Sequence, residues 1–154
     1  MKTKIINIIL VIVSMLAIFL FSSEKADDSN VTSRRITSRF VRVIDKEKDS
    51  KKIKATVEEK DSITRKIAHF LEYALLGFLV LNMLKDYKKI NIKLIIISIL
   101  ICILYAISDE IHQYFVPGRS CQFTDVLIDS TGSALGTMLY FYIFSHFKKS
   151  VKKN

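Results

Sequence analysis

Long apolar runs alternate with polar, charge-rich stretches along this chain. The first run covers residues 5–21 and would be about 25 Å long as a helix, just enough to cross the hydrocarbon core of a bilayer. Three more runs follow at 67–84, 92–108 and 126–147. Blocks of this length predict transmembrane helices in place of a soluble core. The expected fold is therefore all-α: a single integral membrane domain over residues 1–154, built as a four-helix bundle. A basic turn lies between the second and third runs. A polar turn, expected over 109–125, lies between the third and fourth.

The stretch 22–66 is polar, dense in mixed charge and free of Gly and Pro. Within it Ile36, Phe40, Val43 and Ile44 recur at helical spacing, with Arg34, Arg35, Arg39 and Arg42 around them. That pattern fits either a basic amphipathic helix lying on an anionic membrane surface or a short solvated helix packed on the bundle. From Asp45 to Asp61 the charges alternate in sign, as on a solvated helix or loop. The first apolar run reads as an uncleaved anchor, because Ser22 and Ser23 after Phe19, Leu20 and Phe21 make a poor small-x-small cleavage site.

Charge adds the orientation. The formal net charge is +9. Lys2, Lys4, Lys85, Lys88, Lys89, Lys93, Lys148, Lys149, Lys152 and Lys153 flank the apolar runs with Asp86 the single acid among them, and they carry that whole excess. Such a distribution is the positive-inside bias, and it argues against a nucleic-acid partner. It predicts a multi-pass protein of the plasma membrane. Both termini and the 85–93 turn would be cytoplasmic, and 22–66 and 109–125 would be outside. Cys102 lies in an apolar run and Cys121 in a polar connection, so neither a disulfide nor a metal-binding Cys pair is expected.

The candidate chemistry collects at the outer ends of three helices. His69, Glu72 and Tyr73 stand at i, i+3 and i+4 and share one face. Asp109, Glu110, His112 and Gln113 close the third run, and Asp109 and His112 share a face if that helix continues. Arg119 follows the Pro117-Gly118 pair, which reads as a tight turn. Asp125 and Asp129 open the fourth run, with Thr124 or Asp125 as its N-cap. Gly132 and Gly136 form a GxxxG pair, and Gly77 continues the His69 face, so all three are candidates for close helix packing. This many ionisable groups at helix ends exceeds what capping needs, and it predicts an outer pocket formed by His69, Glu72, Asp109, Glu110, His112, Gln113, Arg119, Asp125 and Asp129. The bland alternative is that these groups cap helices and brace the turn.

These residues resemble the VanZ-like family of small bacterial membrane proteins. The matching pieces are Lys66-x-x-His69-Phe70-x-Glu72-Tyr73-x-x-Leu76-Gly77 and Ser108-Asp109-Glu110-x-His112-Gln113-x-Phe115-x-Pro117-Gly118-Arg119. They continue as Asp125-Val126-x-x-Asp129-x-x-Gly132-x-x-x-Gly136, and Phe21-Ser22-Ser23 before a polar segment also fits. The family often has Asn at the position of Asp129, so the resemblance does not demand a carboxylate there. It is named for a protein associated with resistance to the glycopeptide teicoplanin, which makes the cell envelope the expected context.

Three function classes stay open at this point. One is a membrane hydrolase or transferase acting on a lipid-linked cell-wall precursor or another amphipathic envelope molecule, with His69 and His112 as acid or base and Arg119 holding a phosphate or carboxylate. A divalent metal is a variant of that reading, with His69, His112, Asp109 and Asp125 as candidate ligands. The second is a non-catalytic module that binds or masks a lipoglycopeptide or precursor. The third is an ion or proton pathway, against which stands the absence of charge from Leu94 to Ile107.

Overall fold

In the computed structural model, which describes residues 1–23, 50–117, 119 and 121–151, the chain forms four helices. Side chains are described within those residues except at 50–62 and 147–151. The helices are α1 (Lys2–Ser23), α2 (Ser50–Leu84), α3 (Ile92–Tyr114) and α4 (Phe123–Val151). The fold is all-α, as the pattern of apolar runs predicts. The amphipathic stretch expected around Ile36, Phe40, Val43 and Ile44 lies outside the described residues.

Three helix ends differ from the expected ones. α2 begins at Ser50, well before position 67, because the charged stretch ahead of its apolar part has no Gly or Pro to break a helix. α3 runs to Tyr114 and not to 108. Its polar last turns find partners inside the bundle and on α1, so polarity does not force the helix to stop; Pro117 lies just beyond its end. The turn expected over 109–125 is therefore short. α4 starts at Phe123, which puts Thr124 and Asp125 inside its first turn and not at the cap. The Asp125 carboxylate then lies where the helix dipole favours negative charge. At the other end of the bundle, Asn91 caps α3 by accepting a hydrogen bond from the Leu94 N–H at 2.9 Å.

Packing is inverted relative to a soluble protein. Ile5, Ile9, Ile12, Leu16 and Leu20 of α1 are exposed, as are Leu100, Leu104 and Ile111 of α3 and Leu135 and Leu139 of α4. Asn7, Ser22, Ser98, Asp109, Glu110, Gln113, Asp129, Ser133 and Thr137 are buried. Apolar surface facing outward with polar groups paired inward is what a lipid solvent selects. Among the described residues α1, the Ile63–Leu84 part of α2, and α3 are long and apolar enough to cross a membrane. The protein is a membrane protein.

α2 and α4 run side by side in the same direction, and glycines set their distance. A Cβ added at Gly136 would collide with the Ala74 carbonyl, one at Gly132 with the Phe70 carbonyl, and one at Gly77 with the Ser133 carbonyl. The Thr137 hydroxyl crosses this seam and donates to the Gly77 carbonyl at 3.2 Å. Around the seam lie two apolar clusters. Val11, Ile18, Tyr73, Leu76, Val80, Cys102 and Ala106 form one, and Leu81, Leu94, Ile95 and Tyr140 the other. Cys102 is buried, Cys121 is exposed, and both are free.

Candidate functional site

The C-terminal ends of α1 and α3, the start of the apolar part of α2 and the start of α4 meet at one end of the bundle. A polar network joins them. The Ser22 hydroxyl at the end of α1 donates to Asp109 Oδ2 at 2.8 Å. Gln113, one turn beyond Asp109, donates its amide to the same oxygen at 3.1 Å. The Gln122 backbone N–H, at the threshold of α4, donates to Glu110 Oε2 at 2.9 Å. Glu110 thus supplies an acceptor to an α4 terminus that has no intrahelical one. Lys66 of α2 donates to Asp125 Oδ1 of α4, which ties the two helices at the same level.

A pocket of about 120 Å³ opens in this end. Arg65, Lys66, His69, Glu110, Gln113, Arg119, Gln122, Asp125, Ile128 and Asp129 line it. Arg119 reaches across from the α3–α4 connection. Its Nη2 donates to the Phe21 carbonyl at 3.1 Å and its Nη1 to Gln113 Oε1 at 3.4 Å, so it also holds the end of α1. The volume holds about four waters, or one group of phosphate size.

Four buried polar atoms beside this network have no hydrogen-bond partner among the described residues: His69 Nδ1, Tyr73 OH, Asp109 Oδ1 and Asp129 Oδ1. One ligand atom each from His69, Asp109 and Asp129 lie within 4.8 Å of one another. The nearest carboxylate to His69 on its own helix is Glu72, 4.0 Å from Nδ1, too far for a hydrogen bond.

The structure thus brings together His69, Glu110, Gln113, Arg119, Asp125 and Asp129 around one pocket, with Asp109 against its His69–Asp129 side and Glu72 one turn along from His69. It does not bring His112 there. The His112 ring stacks on Phe19 of α1 at 4.4 Å between centroids, and its Nε2 lies 3.0 Å from the Ser23 hydroxyl. The expectation that the two histidines share a pocket, or share a metal, is corrected on this point. Asp109, Glu110 and Gln113 occupy the inward face of α3, and His112 falls to the α1 side. Asp125, another expected metal ligand, is paired with Lys66, and Asp129 takes its place beside His69 and Asp109.

Sequence reasoning passed over Ser22, Arg65, Lys66 and Gln122 as parts of this site. In the sequence Ser22 and Ser23 read as a poor cleavage signal and as part of the family resemblance, with no site role. The available clue was a pair of hydroxyls closing an apolar run, where they can turn inward to a carboxylate. Lys66 stands three residues before His69, so it lies on the same side of α2.

The VanZ/LLP1 family model matches residues 7–145 of the chain. The match takes in every element of the pocket, from the end of α1 to the start of α4. No curated protein and no solved structure matches the chain.

Proposed function

The chain belongs to the VanZ/LLP1 family, and from that footing we propose that its pocket binds the anionic headgroup of a lipid-linked or otherwise amphipathic cell-envelope molecule. The observation that carries the reading is the lining. Three cationic side chains, Arg65, Lys66 and Arg119, share a phosphate-sized space with His69 and the carboxylates of Glu110, Asp125 and Asp129. Arginine offers paired N–H groups to phosphate or carboxylate oxygens, and lysine adds a point charge. The space is too small for a whole lipid or a glycopeptide, so only a headgroup fragment enters and the apolar remainder stays in the bilayer. In this reading α4 is a fourth crossing, both termini are cytoplasmic, and the pocket faces the outer side of the plasma membrane. The charge distribution supports that orientation.

Capture of an envelope precursor by its headgroup, or of a lipoglycopeptide by an anionic group small enough to enter, would give the protein a role in resistance to teicoplanin-type antibiotics. The test is to purify the full chain in mild detergent and extract the lipids that come with it. A phosphate-bearing lipid should accompany the wild-type protein and be depleted in Arg119→Ala and in the double variant Arg65→Ala/Lys66→Ala. Identical lipid profiles in all three would sink the proposal. His69→Ala then separates chemistry from binding. A catalyst loses its effect on teicoplanin susceptibility while the lipid still co-purifies, whereas a binder keeps both.

A further inference from the structure

His69, Asp109 and Asp129 come from three different helices, and the fold delivers one ligand-type atom of each to a common space no wider than 4.8 Å. Asp109 and Asp129 are 2% and 1% exposed, and each has one oxygen, Oδ1, that nothing in the described protein satisfies. The buried Nδ1 of His69 and the hydroxyl of Tyr73, one turn along the same face, are likewise without a partner. An unsatisfied buried polar atom is destabilising, and here four occur together. Chance burial does not explain why they converge. Two ionised carboxylates at this spacing also repel one another, which a cation between them, or a proton on one, relieves.

The other oxygen of Asp109 is held. Ser22 and Gln113 both donate to Oδ2, which fixes the carboxylate and leaves Oδ1 directed to other work. Outer hydrogen bonds of this kind are what orient a metal-ligating carboxylate. From this geometry we infer that His69, Asp109 and Asp129 form a binding site for a divalent transition-metal ion. One imidazole nitrogen and two carboxylate oxygens suit Zn²⁺ or Mn²⁺; an imidazole ligand argues against Mg²⁺ and Ca²⁺. Ligand atoms about 2.0–2.2 Å from a tetrahedral ion lie ~3.4 Å apart, a contraction that rotation of Asp and His side chains provides. The three residues leave a coordination position for water or for a ligand. His69 and Asp129 also line the pocket, so the ion faces it. The inference rests on the headgroup-binding reading only for what that open position receives, an anionic oxygen of the bound molecule.

The experiment uses full-length protein in detergent, stripped with a chelator and titrated with Zn²⁺ and, separately, Mn²⁺, with no lipid added. One ion per chain should bind, with a rise in melting temperature on loading. Asp109→Asn and Asp129→Asn are close to isosteric; each should weaken binding at least 10-fold and abolish the thermal shift. Ser22→Ala, which removes one of the two donors that fix the Asp109 carboxylate, should weaken it about 10-fold. His112→Ala should bind as wild type does. The melting temperature of each stripped variant checks that it is folded. Absence of any thermal shift with either metal on the wild-type protein, or equal affinity in Asp129→Asn and wild type, overturns the site. Because no lipid is present, that failure leaves headgroup binding standing. Depleted lipid in Arg119→Ala with metal binding intact would leave both standing, and an unchanged lipid profile with metal bound would remove the headgroup reading alone.

Discussion

The division of labour between Asp109, Gln113 and His112 turns on helical angles. Successive residues in a helix are about 100° apart, so Gln113 lies about 40° to one side of Asp109 and His112 about 60° to the other. Glu110, about 100° round, falls on the Gln113 side, and the three buried residues define an inward face that excludes His112. Spacing alone made Asp109 and His112 neighbours, which they are; it could not say on which side of Asp109 the bundle lies. That required knowing where α1 packs. The ionisable character of the site was legible residue by residue, because charged groups at membrane helix ends demand partners. Arg119 lines the pocket while holding the Phe21 carbonyl and Gln113. Arg119→Ala should therefore loosen the end of α1 as well as remove a cation from the pocket. The loss is about 1.5 kcal/mol, the lower end for hydrogen bonds to a charged group because the side chain is partly open to solvent. A lowered melting temperature in detergent is the expected reading. Arg119→Lys should recover only part of it, since one ammonium cannot span the two acceptors in the geometry of the planar fork. A wild-type melting temperature for Arg119→Ala would mean that the turn is an ordinary solvated connection.

At the level of elements, the four apolar runs located the four helices, whereas helix ends and partners depended on contacts that no run of sequence displays. The C-terminal end of α3 is the clearest case. Its last turns read as a polar connection because Asp109, Glu110, His112 and Gln113 are hydrophilic, and they stay helical because each is paired or packed. α4 shows the converse. Gly132, Ser133, Gly136 and Thr137 make its first half small and weakly apolar, so it falls outside the set long and apolar enough to cross by composition alone. Those same residues let it press against α2, where lipid cannot enter. The Gly136 site tests this seam. Its hydrogen points at the Ala74 backbone, and backbone cannot swing aside as a side chain can. Gly136→Leu should cost about 3 kcal/mol, the upper end of the usual overpacking penalty. Thermal unfolding in detergent reads this, and Gly136→Ala should already be measurably destabilised. Unchanged stability for the leucine variant would place this face against lipid.

For the molecule as a whole, the two ends of the bundle are chemically unlike. One carries the pocket. At the other, the Asn7 amide donates to Asp86 Oδ2 at 2.7 Å and Asn82 donates to Asn7 Oδ1 at 3.0 Å, with Lys4 over the Tyr87 ring and Lys85 over that of Tyr140. α1 contributes to both ends, through Asn7 at one and Ser22 at the other. In the bundle, α1 thus supplies one partner of Asp109 and one of Asp86. The lysine-rich end is where the positive-inside bias puts the cytoplasm. In the proposed orientation the pocket faces outward, within reach of envelope molecules that never enter the cell. A single introduced cysteine decides this. Lys88 is exposed in the α2–α3 connection, away from the pocket. With Cys121, the exposed native thiol near the pocket, changed to Ser, Lys88→Cys should react with a membrane-impermeant maleimide only after the cells are permeabilised. The reverse arrangement, native Cys121 with Lys88 intact, should label in whole cells. Labelling of Lys88→Cys in intact cells would turn the bundle over, put the pocket in the cytoplasm, and replace an envelope ligand with a cytosolic one.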